Sequence, residues 1–128
     1  MAYMLDTSVA IDIVDGDDAI LDRLGALGTA VIISMITRVE LEGGVRREPE
    51  YAHARAARLD KALRSLPRVD FDEKCAETYG AILSGTGFSR RKVLDRMIAA
   101  QALVHRATLV TRHAADFSDI PGLHIVEW

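Results

Sequence analysis

Four carboxylates lie far apart in this chain of 128 residues, yet each stands where a hydrophobic stretch gives way to a helix or a polar turn: Asp6, Glu40, Asp95 and Asp116. Residues just past the carboxyl ends of parallel strands converge at one edge of a sheet, so such side chains can meet despite irregular spacing. Carboxylates that lie close together repel one another unless they take up protons or bind a hard cation such as Mg²⁺ or Mn²⁺. The sequence therefore predicts an acidic, metal-dependent site.

The elements that must position these carboxylates alternate between strand and helix. Short apolar runs predict strands at residues 2–5, 30–34, 69–71, 107–111 and 123–126. Thr7 or Ser8 is expected to cap a helix after the first strand, and Thr37 to open another. Further helices are expected over 18–26, 51–65, 72–84 and 90–106, with a Gly-Thr-Gly loop before the last. This order predicts an α/β fold in three layers, α/β/α, with a central parallel sheet of four to five strands.

Composition and length favour a globular domain with a hydrophobic core, since 49% of the residues are hydrophobic and 27% are charged. The longest apolar run, residues 30–36, is too short to span a bilayer, and the first residues do not resemble a secretion signal. We therefore expect a cytoplasmic protein with no membrane partner. Cys75 is the only cysteine, which excludes an internal disulfide and predicts a buried apolar role.

The formal charge of −3 is unfavourable for a nucleic-acid partner, because phosphate binding normally uses a basic surface. Two divalent ions at the carboxylates would change this total from −3 to +1. Three basic groups are available to surround such a site, Arg46-Arg47, Arg90-Arg91-Lys92 and Arg112. Each is equally typical of a solvated helix end, so charge alone neither supports nor excludes RNA.

Two of the carboxylates have ordinary structural alternatives within helices. Thr37 to Glu40 matches a capping box, in which the Glu side chain reaches back to the first amide of its own helix. Asp95 follows Arg91 and Lys92 at helical spacing and could form a surface ion pair. However, the helix after Asp95 is apolar nearly all round, so a buried acid there needs a partner.

The other acidic residues are expected at a turn, at the end of a strand and on the surface. Asp116 suits the start of a turn. Asp6 is the hardest to explain structurally, because a carboxylate at a strand end followed by two hydroxyl residues suits cation or phosphate chemistry. A further group is expected to form a solvated acidic face: Asp12, Asp15, Asp17, Asp18 and Asp22.

Four segments, taken in order, resemble the motifs of the PIN-domain ribonucleases, and most of all those of the VapC toxins of bacterial toxin–antitoxin pairs. The resemblance covers essentially the whole chain, including the ending Ile120-Pro121-Gly122-Leu123 and Trp128. The four segments are Met4-Leu5-Asp6-Thr7-Ser8, Ser34-Met35-Ile36-Thr37-Arg38-Val39-Glu40-Leu41, Asp95-Arg96-Met97-Ile98-Ala99-Ala100 and Leu109-Val110-Thr111-Arg112-His113-Ala114-Ala115-Asp116-Phe117.

This resemblance implies a single PIN-like domain over residues 1–128 that cleaves structured RNA, such as transfer RNA or ribosomal RNA, with one or two Mg²⁺ or Mn²⁺ ions. Asp6 and Asp95 would be the core ligands, Asp116 a ligand or orienter of the other ion, and Glu40 a ligand or a base acting through water. The remaining expected contributors to the ligand shell or the RNA contact are Ser8, Thr111 and Arg112.

The resemblance also implies a homodimer and a VapB-like antitoxin whose C-terminal segment covers the acidic site. The polar stretch from Gly43 to Tyr51 suits such a contact, although an ordinary helix hairpin explains it equally well.

One position departs from the family pattern. His113 stands where these proteins commonly have Asn, and an imidazole is larger, can bind metal and can be protonated near neutral pH. A ligand or phosphate contact and an exposed residue at a helix start are equally compatible with it.

His113 keeps a second function open, a degenerate PIN domain that binds RNA or a protein without cutting. A third, a receiver or dehalogenase-type phosphotransfer domain, is disfavoured because Ser8 stands where the dehalogenase pattern has a second Asp, and no lysine follows a late strand.

Overall fold

A computed structural model describes residues 2–128 as one five-stranded sheet with helices on both faces. Every neighbouring pair of strands is parallel, and the strands lie in the order β3-β2-β1-β4-β5. The strands are β1 (Ala2–Leu5), β2 (Val31–Ser34), β3 (Arg68–Val69), β4 (Ala107–Thr111) and β5 (Ile125–Glu127). The predicted three-layer α/β/α fold with a parallel sheet is confirmed.

Six α-helices connect the strands: α1 (Thr7–Asp15), α2 (Asp18–Ala26), α3 (Met35–Arg46), α4 (Pro49–Leu63), α5 (Glu73–Thr86) and α6 (Val93–Val104). Single 3₁₀ turns lie at Arg90–Lys92 and Ala114–Phe117. Several predicted boundaries were wrong, among them those of α4, predicted at 51–65, and of β3, predicted at 69–71. The Gly-Thr-Gly loop lies mostly inside α5, which ends at Thr86, and the helix predicted from residue 90 begins with a 3₁₀ turn. The last strand starts two residues later than predicted.

The hydrophobic core lies on both faces of the sheet because side chains alternate along each strand. Within β1, Met4 belongs to the cluster that α5 and α6 cover, whereas Leu5 belongs to the cluster covered by α1 to α4. Both side chains are fully buried. A strand buried on both faces reads as a continuous apolar run, which is why β1 and β4 lack a polar side. The carboxyl ends of these two central strands are thereby fixed side by side.

Two further predictions concern burial and membranes. Cys75 is buried and unpaired, as its spacing indicated. No helix within residues 2–128 is both long and apolar enough to cross a bilayer.

Candidate active site

The site is built at the carboxyl ends of the two central strands. Leu5 in β1 is in register with Val110 in β4, so Asp6 and Thr111 lie next to each other just beyond that pair. The Asp6 amide donates to the Val110 carbonyl at 3.0 Å, and the Thr111 hydroxyl donates to Oδ2 of Asp6. Asp6 is only 5% exposed. The sheet register therefore holds this carboxylate in one position.

The other oxygen of Asp6, Oδ1, is bound by two donors from the following helix. It accepts from the Val9 amide at 3.2 Å and from the Ser8 hydroxyl at 2.5 Å. Asp6 is therefore the N-cap of α1, and the prediction that Thr7 or Ser8 caps this helix was wrong. The chain turns directly from strand to helix at Asp6, so its side chain is the first that can reach the free amides. Ser8 contributes to the site by orienting Asp6.

Glu40 is held from the opposite side of the site by Thr7. The Thr7 hydroxyl donates to Oε1 of Glu40 at 2.6 Å, which joins the first residue of α1 to the middle of α3. The capping-box interpretation of Glu40 was wrong. Ser34 caps α3 by accepting from the Ile36 amide at 2.9 Å, and Thr37 lies inside the helix. Because the helix begins earlier than predicted, Glu40 projects from its second turn.

Asp95 lies in the first turn of α6, about half buried. Burial raises the pKa of its carboxyl group, and the nearby charges of Asp6, Glu40 and Asp116 raise that pKa further. The nearby imidazole of His113 lowers the pKa of Asp95. Within residues 2–128 Asp95 forms no ion pair with Arg91 or Lys92, so the surface-pair alternative for Asp95 is wrong.

The charges of Asp6, Glu40 and Asp116 all act on the Asp95 carboxyl group, so the fold places the four predicted carboxylates near one another. We call Asp6, Glu40, Asp95 and Asp116 the acidic cluster. Asp116 is its exposed member and lies on the 3₁₀ turn Ala114–Phe117. The buried ring of Phe117 anchors this turn to the core. One carboxylate thus comes from each of four separate segments of the chain.

Two basic residues near the cluster have defined partners. The Arg112 guanidinium pairs with Asp12 at 2.5 Å, so Asp12 is not part of a merely solvated acidic face. His113 is exposed, and its backbone amide donates to the Thr111 hydroxyl at 3.0 Å. The backbone of His113 thereby supports the residue that orients Asp6, whichever side chain stands at this position.

The donor chemistry of the acidic cluster suits a hard divalent cation, since carboxylate oxygens are the ligands such ions prefer. Within the described residues no three carboxylate, imidazole or thiol groups are arranged to hold an ion. Mg²⁺ is commonly held by one or two carboxylates with water completing its shell. The cluster fits that arrangement, and direct ligation by all four residues stays a prediction.

Sequence reasoning missed two residues that hold the segments carrying the site, Thr7 in α1 and Arg96 in α6. Thr7 was interpreted only as a possible helix cap, but it orients Glu40. Arg96 is 3% exposed, donates to the Gly87 carbonyl at 2.7 Å and pairs with Asp119 at 3.1 Å. The signal for Arg96 was present, because a charged residue in a helix that is apolar nearly all round needs buried partners.

Comparison with known proteins agrees with this geometry. The PIN domain family model matches residues 3–123. Ribonuclease VapC2 of Rickettsia felis is 30% identical over 135 residues, which cover 100% of this chain and 98% of that protein. The tRNA(fMet)-specific endonuclease VapC of Salmonella typhimurium is 29% identical over 133 residues, with coverage of 100% and 98%.

A solved structure shows the same similarity in three dimensions. The crystal structure of VapBC2 from Rickettsia felis, bound to a DNA fragment from their promoter, contains a chain that is similar with a TM-score of 0.88 at 30% identity. The match covers 100% of this chain and 99% of that one. This chain therefore belongs to the PIN-domain family, in the branch of the VapC-like ribonuclease toxins of type II toxin–antitoxin systems.

Proposed function

We propose that this chain is an endoribonuclease that uses Mg²⁺ or Mn²⁺ at the acidic cluster and acts as the toxin of a VapBC-type pair. The observation that carries the proposal is the site at the carboxyl ends of β1 and β4, where Thr111 and Ser8 hold the buried Asp6 carboxylate. The charges of Asp6, Glu40 and Asp116, together with burial, raise the pKa of Asp95 beside it. Like charges gathered in this way oppose one another unless a cation binds among them. Such perturbed groups are concentrated at functional sites.

The residues of the chain divide the work of phosphodiester hydrolysis. When bound, a divalent cation supplies a water of lowered pKa and a positive charge beside the scissile phosphate. Asp6 needs no reorganisation to receive that cation, because Thr111 and Ser8 already fix both of its oxygens. Glu40, held by Thr7, accepts a proton through water or contributes to the ion's outer shell.

The names of two similar proteins support a proposal for the substrate and the partner. The Salmonella relative is named for cleavage of tRNA(fMet), and the Rickettsia structure is a VapBC complex. By this similarity the substrate is a structured RNA such as transfer RNA or ribosomal RNA, and the inhibitor is a VapB-like antitoxin. Unpaired loops are the favoured targets, because their phosphates can enter a pocket that excludes a duplex. The homodimer stays a prediction.

The test is cleavage of a total RNA pool by the purified chain, freed of antitoxin, with Mg²⁺, Mn²⁺ or EDTA. Discrete fragments that need a divalent ion, and that disappear when the antitoxin is added back, are the expected result. A folded chain that produces no fragments with either ion would contradict the proposal.

A second candidate is a PIN domain that binds RNA or protein without cutting. Two observations favour it: within residues 2–128 no three carboxylate, imidazole or thiol groups are arranged to hold one ion, and His113 stands where the family commonly has Asn. RNA that is retained by the chain but stays intact with Mn²⁺ would support this function instead.

A further inference from the structure

A cleft of about 370 Å³ opens directly beside the acidic cluster, between α1, α3 and α4. Thr7 and Glu40 line this cleft and also form the hydrogen bond that orients the Glu40 carboxylate. Its volume is within the range of about 300–1,000 Å³ that is typical of small-molecule sites. Because Glu40 belongs both to the cleft and to the acidic cluster, a group bound in the cleft would lie next to a phosphate that is cut at the cluster.

One part of the cleft surface is apolar. Four aliphatic residues contribute to it, Ile11 and Val14 from α1 and Leu41 and Val45 from α3. Leu41 and Val45 belong to the buried core, whereas Ile11 is 45% exposed. Aliphatic side chains at an open cleft suit the face of a flat, weakly hydrated ring.

The charged part of the cleft surface disfavours a phosphate. Three carboxylates line it, Asp15, Glu40 and Glu48, against two guanidinium groups, Arg47 and Arg55. Arg55 is already paired with Glu48 at 3.2 Å. Carboxylates repel phosphate oxygens but accept hydrogen bonds from the exocyclic amino groups of bases. Arg47, which has no ion-pair partner within residues 2–128, offers a planar surface for stacking.

We propose that this cleft binds one unpaired nucleobase with an exocyclic amino group, from the nucleotide next to the scissile phosphate. The proposal rests on the ribonuclease function and adds the part of the RNA that is recognised. It makes the cleft a specificity-determining site, because a base without an amino group cannot donate to the lining carboxylates in the same way. The acidic cluster then cuts at a position that the cleft selects.

Two adjacent glycines provide a matched test. Gly43 and Gly44 both lie in α3, and a Cβ at either position meets no atom within 4 Å. Only Gly44 lines the cleft. Gly44→Leu fills the cleft, whereas Gly43→Leu makes the same change of helix propensity outside it. We expect Gly44→Leu to lower kcat/KM for RNA about tenfold to one-hundredfold, the range for loss of one stacked base, and Gly43→Leu to leave it unchanged.

The readouts are kcat/KM on a total RNA pool with Mn²⁺, the base adjoining each cut found by sequencing, and the Tm of each variant. Gly44→Ala should have an intermediate effect and guards against misfolding of the larger variant. Preference for an amino-bearing base should weaken in the two Gly44 variants and stay unchanged in Gly43→Leu.

Each other outcome has a separate meaning. A wild-type chain that cuts no RNA removes the ribonuclease function, and with it this proposal. A wild-type chain that cuts, beside a Gly44→Leu variant with the same rate and base preference, overturns the cleft proposal alone. If Gly44→Leu is altered only in its inhibition by the antitoxin, the cleft is a protein-docking site and the proposal is likewise overturned.

Discussion

The Thr7 hydroxyl and the Glu40 carboxylate, which are 33 residues apart in the chain, are joined by a hydrogen bond of 2.6 Å between α1 and α3. Thr7 directly follows Asp6, so one short segment positions two members of the acidic cluster. Thr7 also lies 3.1 Å from the buried Thr37 hydroxyl. This pair therefore links the start of α1 to α3 through side chains that meet at the site.

Replacing Thr7 with Val should slow RNA cleavage without unfolding the chain. The change removes the donor that orients Glu40 and keeps the volume of the side chain. Loss of such an orienting partner typically costs about 10–100-fold in activity or metal affinity. The comparison is the cleavage rate of Thr7→Val with that of Thr7→Ser, which keeps the hydroxyl and should stay close to wild type. Equal rates for wild type and Thr7→Val would exclude Thr7 from the site.

Asp95→Asn should make the metal-free protein more stable at neutral pH. The pKa of Asp95 is raised in the folded state, so the folded chain binds this proton more readily than the unfolded chain does. The resulting stability is fully present below the unfolded pKa and is lost as pH rises through the folded pKa. An amide keeps the shape of the side chain without the charge, and we expect its Tm at about pH 7 to exceed that of wild type by a few degrees.

The measurement is thermal unfolding in EDTA at about pH 7 and again at about pH 3.5, where the wild-type carboxyl is largely protonated and the advantage should shrink. Asp22→Asn, an exposed change on α2, is the control and should alter stability by less than about 0.5 kcal/mol. Equal Tm values for wild type and Asp95→Asn at both pH values would contradict the rise in the pKa of Asp95 that we attribute to burial and to the neighbouring carboxylates.

Arg96→Met should destabilise the fold by about 1–3 kcal/mol, because it leaves the Gly87 carbonyl and Asp119 without their donor. The Nε atom of Arg96 is buried without a hydrogen-bond partner, so the native arrangement already has one unsatisfied group. Asp119→Asn should cost less, since Asp119 is 43% exposed and can be solvated. Chemical denaturation measures both changes. If Arg96→Met proves as stable as Asp119→Asn, the Arg96 guanidinium contributes little to the free energy of unfolding.

His113→Asn should retain both the fold and the cleavage rate within about threefold. Only the backbone amide of His113 contacts Thr111, and the side chain is exposed. The hydrogen bond to Thr111 comes from the backbone amide, so it persists when Asn replaces the exposed imidazole. The measurement is the rate at which wild type and His113→Asn cleave the same RNA with Mn²⁺. A large gain in rate for His113→Asn would mean that the imidazole obstructs the chemistry.

The sequence was sufficient to predict the parallel sheet because β1 and β4 are apolar on both faces, a pattern that follows from burial alone. It was also sufficient to place Asp6 at a strand end. It was not sufficient to locate the start of α3, since both Ser34 and Thr37 are good cap residues and only the end of β2 decides between them. That decision fixes the direction in which Glu40 projects.

Contacts between distant segments account for the rest. The Thr7–Glu40 bond and the Arg96–Asp119 pair each join residues from different elements, and no local pattern records such a pairing. The repulsion at Asp95 likewise depends on three residues far away in the chain. The sequence therefore predicted the types of side chain in the site. The contacts that hold these side chains in place could be identified only from the fold.

We expect the acidic cluster to perform metal-dependent RNA cleavage, and Asp95 is its most informative member. The most direct measurement is kcat/KM for RNA cleavage with Mn²⁺ by wild type, Asp95→Asn and the Asp22→Asn control. We expect Asp95→Asn to lose at least about a hundredfold, as for a group acting directly in the chemistry, while Asp22→Asn matches wild type. A folded Asp95→Asn variant that cuts RNA at the wild-type rate would show that the acidic cluster does not perform the cleavage.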